Sequence, residues 1–486
     1  MKTSNNHFDI IIMGAGLSGI GAACHLQKNC PNKSYAILEA RPSMGGTWDL
    51  FRYPGIRSDS DMYTLGYNFK PWTNPKSIAD GPAILGYIKE TAQEHNVASK
   101  IQFNTKIIAL NWSTENAQWT IKCEDTKTKK SKVFTCTFLQ SCLGYYNYEH
   151  GYTPEFEGIK KFKGTIVHPQ FWPEDLDYTN KEVVIIGSGA TAVTLLPAMA
   201  KTAKHVTMLQ RSPTYVASVP NRSLFPKVLS DNIPAKLMYD INRTAHIGIT
   251  ILQYNLSRSR PKMMKDFFIK NAKRQLPKDY DVATHFTPKY NPWDERLCAV
   301  PNGDLFKSIK SGKSSVVTGH IDSFTKDGIL LKSGNTLKAD IIITATGLEL
   351  QMLGGIDAIV DGKKPNPSDV IVYKGMMLKD VPNFVFTIGY TNASWTLKAD
   401  LVATYFCRLI NETDKKGKRM FVPESDKPIE TEPLMDFKSG YVQRALASGN
   451  LPNQGTKTPW KLKQNFISDA INLNYGSMND GFMKFY

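Results

Sequence analysis

The sequence has few cysteines, and no two of them form a CxxC pair. The seven thiols belong to Cys24, Cys30, Cys123, Cys136, Cys142, Cys298 and Cys407. An odd number of cysteines without paired spacing argues against a disulfide framework. Such usage is typical of a protein that stays in a reducing compartment.

Long apolar runs are also missing. No stretch reaches the roughly 18 consecutive apolar residues that mark a membrane-spanning helix. The apolar segment near the start, DIIIMGAGLSGIGAAC, opens with Asp9 and is interrupted by regularly spaced glycines, so it does not match the core of a signal peptide. The sequence therefore predicts a soluble protein, which we expect to be cytoplasmic.

Acidic residues are outnumbered, with 44 Asp and Glu against 60 Lys and Arg, which gives a net charge of +16. This balance favours anionic ligands, nucleic acids or membrane surfaces as partners. The basic residues are scattered, however, and the densest short cluster, DTKTKKSKVF at 125–134, is typical of a solvated hairpin tip. We therefore predict no nucleic-acid partner, and we predict no metal site.

A glycine-rich turn follows an apolar strand near the N-terminus and opens a helix. In FDIIIMGAGLSGIGAACHLQ, Gly14, Gly16 and Gly19 form GxGxxG, with Ser18 inside the motif. The first glycine permits a tight turn, the second lets the backbone approach a pyrophosphate, and the third lets helix and strand pack closely. A second strand, YAILEA, ends in Glu39, where a carboxylate can bind ribose hydroxyls. These features predict a site for a dinucleotide with free ribose hydroxyls.

The same pattern returns at KEVVIIGSGATAVTLLPAMA with a different ending. The GxGxxA motif begins at Gly187, and the next strand is expected in HVTMLQRSPTYV. Arg211 takes the place of the ribose acid, and an arginine can hold a 2'-phosphate through two hydrogen bonds. A solvated residue at a strand end is the alternative for Arg211. The motif predicts an NADP site, with expected contacts from Gly187, Ser188, Gly189, Ala190, Thr191 and Arg211.

Two nucleotide folds in one chain, the second inserted into the first, are the plan of oxidoreductases that use FAD and NADPH. We predict an α/β fold with two dinucleotide-binding, Rossmann-like domains. The FAD-binding domain is expected at 1–145 and 375–486, and the NADP-binding domain with its linkers at 146–215 and 290–374. Residues 216–289 are expected to form a helical insertion, and 486 residues suffice for about three such units.

The segment before the second fold, FKGTIVHPQFWP, reaches from Phe162 to Pro173 and is expected to be an extended linker. Phe162, Gly164, His168 and Trp172 follow the spacing FxGxxxHxxxWP, which resembles the fingerprint of type I Baeyer–Villiger monooxygenases, a group of class B flavoprotein monooxygenases. We expect His168 to couple the movement of two domains rather than to transfer a proton. A flavin-dependent disulfide reductase is disfavoured because the chain lacks a redox-active cysteine pair.

The resemblance extends over nearly the whole chain. MGGTWDLFRYPGIRSDSDMYTLGYNF, YNPWDERLCAVPNGDLF and GYTNASWTLKADL resemble the subgroup that includes the mycobacterial ethionamide-activating monooxygenase. The resemblance implies a catalytic arginine at Arg296, oriented by Asp59, which also sits beside the flavin. Many relatives have Lys before that arginine, whereas Glu295 stands here, which weakens the case for a second basic contact with NADP phosphate. Further contacts are implied for Gly46, Thr47, Trp48 and Ile107 with the flavin, and for Arg57 and Ser212 with NADP.

The implied activity is insertion of one oxygen atom of O2 beside a ketone carbonyl, with NADPH as reductant of FAD and an ester or lactone as product. Sulfoxidation of thioethers and thioamides is implied as well, so the expected substrates are small ketones and sulfides. One alternative is a flavin monooxygenase that oxidises mainly soft nitrogen or sulfur atoms. Another is a flavoprotein without enzymatic activity.

A basic amphipathic pattern stands inside the expected helical insertion. In SRPKMMKDFFIKNAKRQL, apolar residues recur at Met264, Phe267, Phe268, Ala272 and Leu276 with Lys and Arg between them. We expect this helix to pack on its own domain and to turn a solvated basic face outward. Peripheral contact with a membrane surface is the alternative.

Overall fold

The computed structural model of the protein describes residues 6–225, 232–295, 297–356, 358–366, 369–434, 440–447, 449 and 451–486. Its helices are α1 Leu17–Asn29, α2 Thr47–Leu50, α3 Met62–Leu65, α4 Gly81–Glu94, α5 Ala190–Met199, α6 Ala235–Ser259, α7 Pro261–Gln275, α8 Val282–Phe286, α9 Asp304–Lys310, α10 Trp395–Lys415, α11 Gly440–Ala447 and α12 Phe466–Tyr475. The first half of its strands are β1 His7–Met13, β2 Tyr35–Leu38, β3 Ile101–Gln102, β4 Thr105–Ser113, β5 Gln118–Asp125, β6 Ser131–Ser141, β7 Thr165–Val167, β8 Glu182–Ile186, β9 His205–Gln210, β10 Tyr215–Val219, β11 Leu297–Pro301 and β12 Ser314–Thr318. The remaining strands are β13 Ile321–Thr325, β14 Gly328–Leu331, β15 Thr336–Lys338, β16 Ile341–Thr344, β17 Ala358–Val360, β18 Ile371–Tyr373, β19 Met377–Leu378, β20 Phe384–Phe386, β21 Phe421–Pro423, β22 Thr431–Pro433, β23 Asn453–Gly455 and β24 Met483–Phe485.

The first glycine motif lies at the end of the central strand of an eight-stranded sheet. The strand order is β17-β4-β5-β6-β1-β2-β3, and β20 pairs with β6. β1 is parallel to both of its neighbours, β2 and β6. β5 is antiparallel to β4 and β6, and the basic cluster at 125–134 spans the turn between β5 and β6, as expected for a hairpin tip.

Strand β1 is apolar because both of its faces are covered. Ile10 and Ile12 belong to the same hydrophobic core as helix α1, whereas Ile11 and Met13 point into a second core on the opposite face. All four side chains are fully buried. This alternation is what a period of two residues produces in a strand buried on both sides.

The second glycine motif follows β8 in a separate five-stranded parallel sheet. Its order is β12-β9-β8-β16-β7. These strands lie between β6 and β17 along the chain, so the second fold is inserted into the first, as predicted. β17 pairs with β4, so the chain has rejoined the first sheet by residue 358, ahead of the position 375 expected from the sequence.

The expected strand HVTMLQRSPTYV is divided in two. β9 ends at Gln210, and Tyr215 begins β10, which pairs with β11 in a separate two-stranded sheet. Pro213 lies between the two and offers no amide hydrogen to a ladder. The prediction of one continuous strand is therefore wrong, and the insertion opens with a strand before its helices α6, α7 and α8.

The fingerprint segment is also more regular than the extended linker expected from the sequence. Thr165–Val167 form β7, the edge strand of the second sheet, which pairs with β16. A short 3-10 turn, Pro169–Phe171, follows it. Three consecutive β-branched residues favour a strand, and this local preference explains why the segment contains β7 where an extended linker was expected.

No helix in the described part of the chain is long and apolar enough to cross a bilayer.

Candidate functional site

The chain crosses between the two sheets twice, and the crossing segments are joined to each other. Segments 145–152 and 347–351 lie antiparallel. The amide of Tyr152 donates a hydrogen bond to the carbonyl oxygen of Gly347 over 3.1 Å. Because the two segments are paired, a rotation of one domain relative to the other must act on both at once.

His168 packs against these crossing segments. Its Nε2 atom lies 3.3 Å from the carbonyl oxygen of Gly347, and its Nδ1 atom accepts a 3.3 Å hydrogen bond from the amide of Gln170. A Cβ atom at Gly151 would lie 2.1 Å from the imidazole ring. A neutral ring with its proton on Nε2 satisfies both nitrogens, and burial lowers the pKa of His168. The position suits a hinge residue, and the hinge role stays a prediction.

The other fingerprint residues fasten β7 to the second domain. Phe162 is buried in a core on one face of the second sheet, and Trp172 packs against the core on the other face. A Cβ atom at Gly164 would lie 2.2 Å from the carbonyl oxygen of Asp340, so the backbones approach closely there. These side chains hold the segment in place, and the cavity lining does not include them.

The first glycine turn packs tightly against the residue that follows β6. Gly14 has a φ of +95°, and a Cβ atom there would lie 2.9 Å from the carbonyl oxygen of Cys142. A Cβ atom at Gly19 would lie 1.9 Å from the carbonyl oxygen of Gly14. Helix α1 begins directly after Gly16, so the free amides of its first turn are available to a phosphate.

Glu39 lies at the end of β2 with its carboxylate buried. Its Oε2 accepts a 2.8 Å hydrogen bond from the amide of Ala15, and its Oε1 accepts one of 2.9 Å from the amide of Arg41. Burial raises the pKa of Glu39. Each carboxylate oxygen has a second lone pair, so Glu39 can also accept hydrogen bonds from ribose hydroxyls in the cavity that it lines.

A second glycine loop, in the sequence GGTW, lies against the first. Gly46 has a φ of +56°, and a Cβ atom there would lie 3.0 Å from the Cα atom of Gly16. Helix α2 begins at Thr47, whose hydroxyl lies 3.5 Å from that of Tyr148. Trp48 packs against the hydrophobic cores of both domains. The loop therefore lies where the two domains meet.

The glycine turn of the second sheet repeats the geometry of the first. Gly187 has a φ of +131°, and a Cβ atom there would lie 2.3 Å from the carbonyl oxygen of Ala345. Helix α5 begins at Ala190, with Gly189 as its N-cap and Thr191 in its first turn. The free amides of α5 are available to a second pyrophosphate.

The turn after β9 lies beside this glycine turn. The hydroxyl of Ser188 donates to the carbonyl oxygen of Ser212 over 3.3 Å and lies 3.0 Å from the hydroxyl of Thr214. Arg211 and Ser212 are exposed at the end of β9. Arg211 directly precedes Ser212, so its backbone lies beside the second glycine turn, and its contact with the 2'-phosphate of NADP stays a prediction.

Segment 51–57 of the first domain packs into the hydrophobic core of the second domain. Side chains from segment 51–57 belong to the hydrophobic core that contains α5 and β8. The Tyr53 hydroxyl is hydrogen-bonded to the Thr191 side chain, and burial raises the pKa of Tyr53 to about 12. The guanidinium of Arg57 forms an ion pair with Asp304 at the start of α9, and its Nη2 lies 3.3 Å from Oδ1. Arg57 therefore already links the two domains.

One cavity of about 1380 Å³ connects the two glycine turns. Its lining includes the predicted flavin residues Gly14, Gly16, Ser18, Glu39, Gly46, Thr47, Trp48, Asp59 and Ile107. It also includes the predicted nucleotide residues Arg57, Gly189, Ala190 and Thr191, together with His168. Gly19, Gly187, Ser188, Arg211 and Ser212 do not line it. The first two instead shape the turns, and the other three lie around the second turn and the end of β9.

Of the predicted catalytic pair, Asp59 is placed in this cavity. Its side chain is exposed and lines the cavity wall. Arg296 lies outside the described residues. The contact between the two stays a prediction.

The structure adds residues that sequence reasoning missed. The indole N–H of Trp395 donates to the Ser18 hydroxyl over 2.7 Å, and its ring stacks on Tyr145 at 5.0 Å. Both aromatic residues line the cavity. Trp395 and Ser18 are 377 positions apart, so no local spacing could have revealed this contact.

A polar pair on the cavity wall was missed as well. The Nδ1 atom of His246, in α6, lies 3.2 Å from Oδ2 of Asp61. Asp61 also caps α3 by accepting a 3.0 Å hydrogen bond from the amide of Thr64. The cap could have been read from the sequence, but the approach of α6 could not. The insertion thus contributes a wall of the cavity.

The arrangement fits two dinucleotides. A Cβ atom at Gly14 or Gly187 would collide with a carbonyl oxygen of the chain, so only glycine permits these tight turns, each of which leads to a helix start with free amides. Glu39 offers acceptors to one ribose, and Arg211 offers charge to one phosphate. The first turn therefore suits FAD and the second suits NADP.

Comparisons with known proteins bear on the enzyme class and the cofactors. A family model for flavin-binding monooxygenase-like proteins matches residues 73–391, and a model for an NAD(P)-binding Rossmann-like domain matches residues 12–72. The FAD-containing monooxygenase EthA of Mycobacterium tuberculosis is 52% identical over 483 residues, which cover 99% of this chain and 98% of EthA.

Solved structures show the same fold. An open crystal structure of cyclohexanone monooxygenase has a TM-score of 0.77 at 16% identity and covers 99% of both chains. A crystal structure of OTEMO in complex with FAD and NADP has a TM-score of 0.73 at 22% identity, again over 99% of both chains. These structures confirm the predicted fold, and the family models together with EthA confirm the enzyme class and the cofactors FAD and NADP. The chain therefore belongs to the flavin-binding monooxygenase-like family.

Proposed function

We propose that the protein is an NADPH-dependent Baeyer–Villiger monooxygenase, which inserts one oxygen atom of O2 beside the carbonyl of a small ketone. The product is an ester or a lactone. The observation that carries the proposal is the single cavity that joins both nucleotide turns and carries Asp59 on its wall. The fingerprint FKGTIVHPQFWP at the domain crossing and the likeness to a cyclohexanone monooxygenase support it.

The bound cofactors supply reducing equivalents from NADPH and the activation of O2 at FAD. The protein's own task is to bind, orient and shield. The first turn of α1 holds one pyrophosphate and Glu39 the adjoining ribose, while the first turn of α5 holds the other pyrophosphate and Arg211 the 2'-phosphate.

Arg296 and Asp59 act on the substrate. An arginine is positively charged at any working pH, so Arg296 stabilises the negative charge that develops on the ketone oxygen during insertion. Asp59 orients the guanidinium. A preorganised donor of this kind contributes about 10²–10³ in rate. Thioethers and thioamides enter the same cavity and are converted to sulfoxides.

The test compares wild-type protein with Arg296→Ala and Arg296→Lys on a panel of ketones and thioethers. We expect esters from the wild type. Arg296→Ala should retain the anaerobic bleaching of the flavin by NADPH but lose at least about 10²-fold in ester formation, and Arg296→Lys should recover little because it lacks the planar fork. Unchanged ester formation by Arg296→Ala would contradict the assignment.

A further inference from the structure

Helices α6 and α7 are joined through Arg260, and we call the pair the α6–α7 hairpin. Both helices carry large apolar side chains at the protein surface. Ile249 and Leu252 of α6 are 49% and 60% exposed, and Met263 and Phe267 of α7 are 45% and 55% exposed. Isolated exposed apolar residues are ordinary, whereas neighbouring ones mark an interaction surface. Ile249 and Leu252 share one side of α6, and Met263 and Phe267 share one side of α7. We call this set of four residues the apolar hairpin face.

The apolar hairpin face is distinct from the face that holds the hairpin to the protein. Met264, Phe268 and Ala272 of α7 are buried, as the sequence pattern predicted for a helix packed on its own domain. Phe267 does not follow that prediction, because its ring is turned outward. Met263 and Phe267 are four residues apart and therefore share one side of the helix.

The same side of α7 becomes basic further along. Lys270 and Arg274 continue the spacing of Met263 and Phe267, and both are exposed. Segment 258–278 contains one acidic residue, Asp266, against eight basic ones: Arg258, Arg260, Lys262, Lys265, Lys270, Lys273, Arg274 and Lys278. Arg258 is ion-paired with Asp294 and Lys265 donates to the carbonyl oxygen of Pro288, and the other six basic side chains are exposed. Apolar side chains bordered by such an excess of positive charge match an anionic surface with an apolar interior.

The cavity opens beside this hairpin. Ile247, Ile249, Thr250 and Ile251 of α6 line the cavity, and Ile249 is also half exposed. A side chain that belongs both to the cavity wall and to the surface lies at a mouth of the cavity. The apolar hairpin face therefore adjoins an entrance of the cavity at Ile249.

We propose that the α6–α7 hairpin docks on the surface of an anionic lipid bilayer. The apolar hairpin face enters the boundary between headgroups and acyl chains, and the basic residues of 258–278 pair with acidic headgroups. The cavity mouth then faces the bilayer, where apolar ketones and sulfides are concentrated. The docking itself is independent of the reaction, whereas the delivery of these substrates rests on the proposed function.

The test is flotation of the FAD-loaded protein with vesicles of phosphatidylcholine alone or mixed with phosphatidylglycerol. We expect binding to the anionic vesicles that weakens as salt is raised. The double variant Met263→Ser/Phe267→Ser should lose at least about tenfold in vesicle affinity. The double variant Lys270→Gln/Arg274→Gln should lose most of the salt-dependent part of the affinity for anionic vesicles. Val133→Ser, at a 45% exposed position on β6, is the matched control and should bind like the wild type.

Three outcomes would overturn the proposal. One is the absence of binding to either kind of vesicle, and another is wild-type binding by both hairpin variants. The third is a vesicle-free oligomer of the wild type that Met263→Ser/Phe267→Ser dissociates, because a second copy of the chain would then be the occupant. Ester formation from a soluble ketone, measured on the same samples, tests the proposed reaction separately from docking.

Discussion

The Nε2 atom of His168 lies 3.3 Å from the carbonyl oxygen of Gly347, at the point where the chain returns from the second sheet to the first. The same carbonyl oxygen also accepts a hydrogen bond from the amide of Tyr152 in the other crossing segment. His168 itself follows β7, an edge strand of the second sheet. One carbonyl oxygen thus connects both crossing segments with the residue that follows β7 of the second domain.

Replacing His168 should uncouple the two halves of the reaction. In His168→Ala the contact with Gly347 is lost, and we expect NADPH consumption to continue while the yield of oxygenated product per NADPH falls several-fold. Phe171→Ser, a neighbouring position that is 50% exposed, is the control. Measurement of NADPH, product and hydrogen peroxide in parallel decides the matter, and an unchanged yield in His168→Ala would refute the hinge role.

The same histidine should contribute to acid sensitivity. Burial lowers the pKa of His168 from its ordinary value of 6.5, so on acidification the unfolded chain binds the proton first. Stability is therefore lost as the pH falls below about 6.5, and the loss levels off below the folded-state pKa. His168→Gln removes this ionisation, so its unfolding midpoint should fall less steeply over the same range. Parallel pH profiles of the two proteins would argue against a neutral, buried His168.

Arg211 should determine the choice between NADPH and NADH. A hydrogen bond to a charged group contributes about 1.5–3 kcal/mol, which corresponds to roughly 10- to 150-fold in affinity. Arg211→Ala should raise the KM for NADPH by this factor and leave the KM for NADH nearly unchanged. Lys310→Ala, an exposed position on α9, controls for the loss of surface charge. If Arg211→Ala raised the KM values for NADPH and NADH equally, the 2'-phosphate would not be the group that Arg211 binds.

Arg57 has two candidate roles, and a pair of variants separates them. The family resemblance implies a contact of Arg57 with NADP, and the structure shows an ion pair of Arg57 with Asp304. If Arg57 contacts the nucleotide, Arg57→Ala should raise the KM for NADPH well beyond the effect of Asp304→Asn. If the ion pair is its whole role, both variants should behave alike. Steady-state kinetics at saturating ketone give the answer.

A buried ion pair should hold α12 against α10 within the first domain. Lys398 of α10 lies 2.7 Å from Asp469 of α12, which also accepts a 2.8 Å hydrogen bond from the Tyr390 hydroxyl at the cavity wall. Burial lowers the pKa of Lys398. Asp469→Asn leaves this lysine without its counter-charge, at a cost of about 3–5 kcal/mol.

The exposed pair of Lys236 with Asp240 provides the comparison for that variant. Loss of an exposed pair changes stability by no more than about 1 kcal/mol, so Lys236→Gln should unfold almost like the wild type in urea. A similar loss of unfolding free energy in the two variants would show that the buried pair stabilises the fold no more than the exposed pair does.

The glycine turns were predictable because their chemistry is local. Gly14 and Gly187 each end an apolar strand and precede a helix, and the positive φ at both positions is what such a turn requires. Glu39 and Arg211 follow at distances set by one strand–helix–strand unit. The split of the expected strand after β9 was missed, although Pro213 carried the local signal for it.

The contacts between distant segments were not predictable. Trp395 reaches Ser18 because α10 packs against α1 within the first domain, and Arg57 reaches Asp304 because the two domains are docked in one arrangement. Periodicity reports which face of an element is buried, but it does not report the partner. The exposed ring of Phe267 illustrates the limit, because the helical pattern alone assigned it to the packed side.

The most direct test of the proposed function is the fate of isotopically labelled O2 in the presence of NADPH and a small ketone. The account predicts an ester or lactone that carries one labelled oxygen atom, formed in proportion to NADPH oxidised. Conversion of thioethers to labelled sulfoxides with no labelled ester from any ketone would contradict it, and would place the protein among the flavin monooxygenases that oxidise soft nitrogen and sulfur atoms.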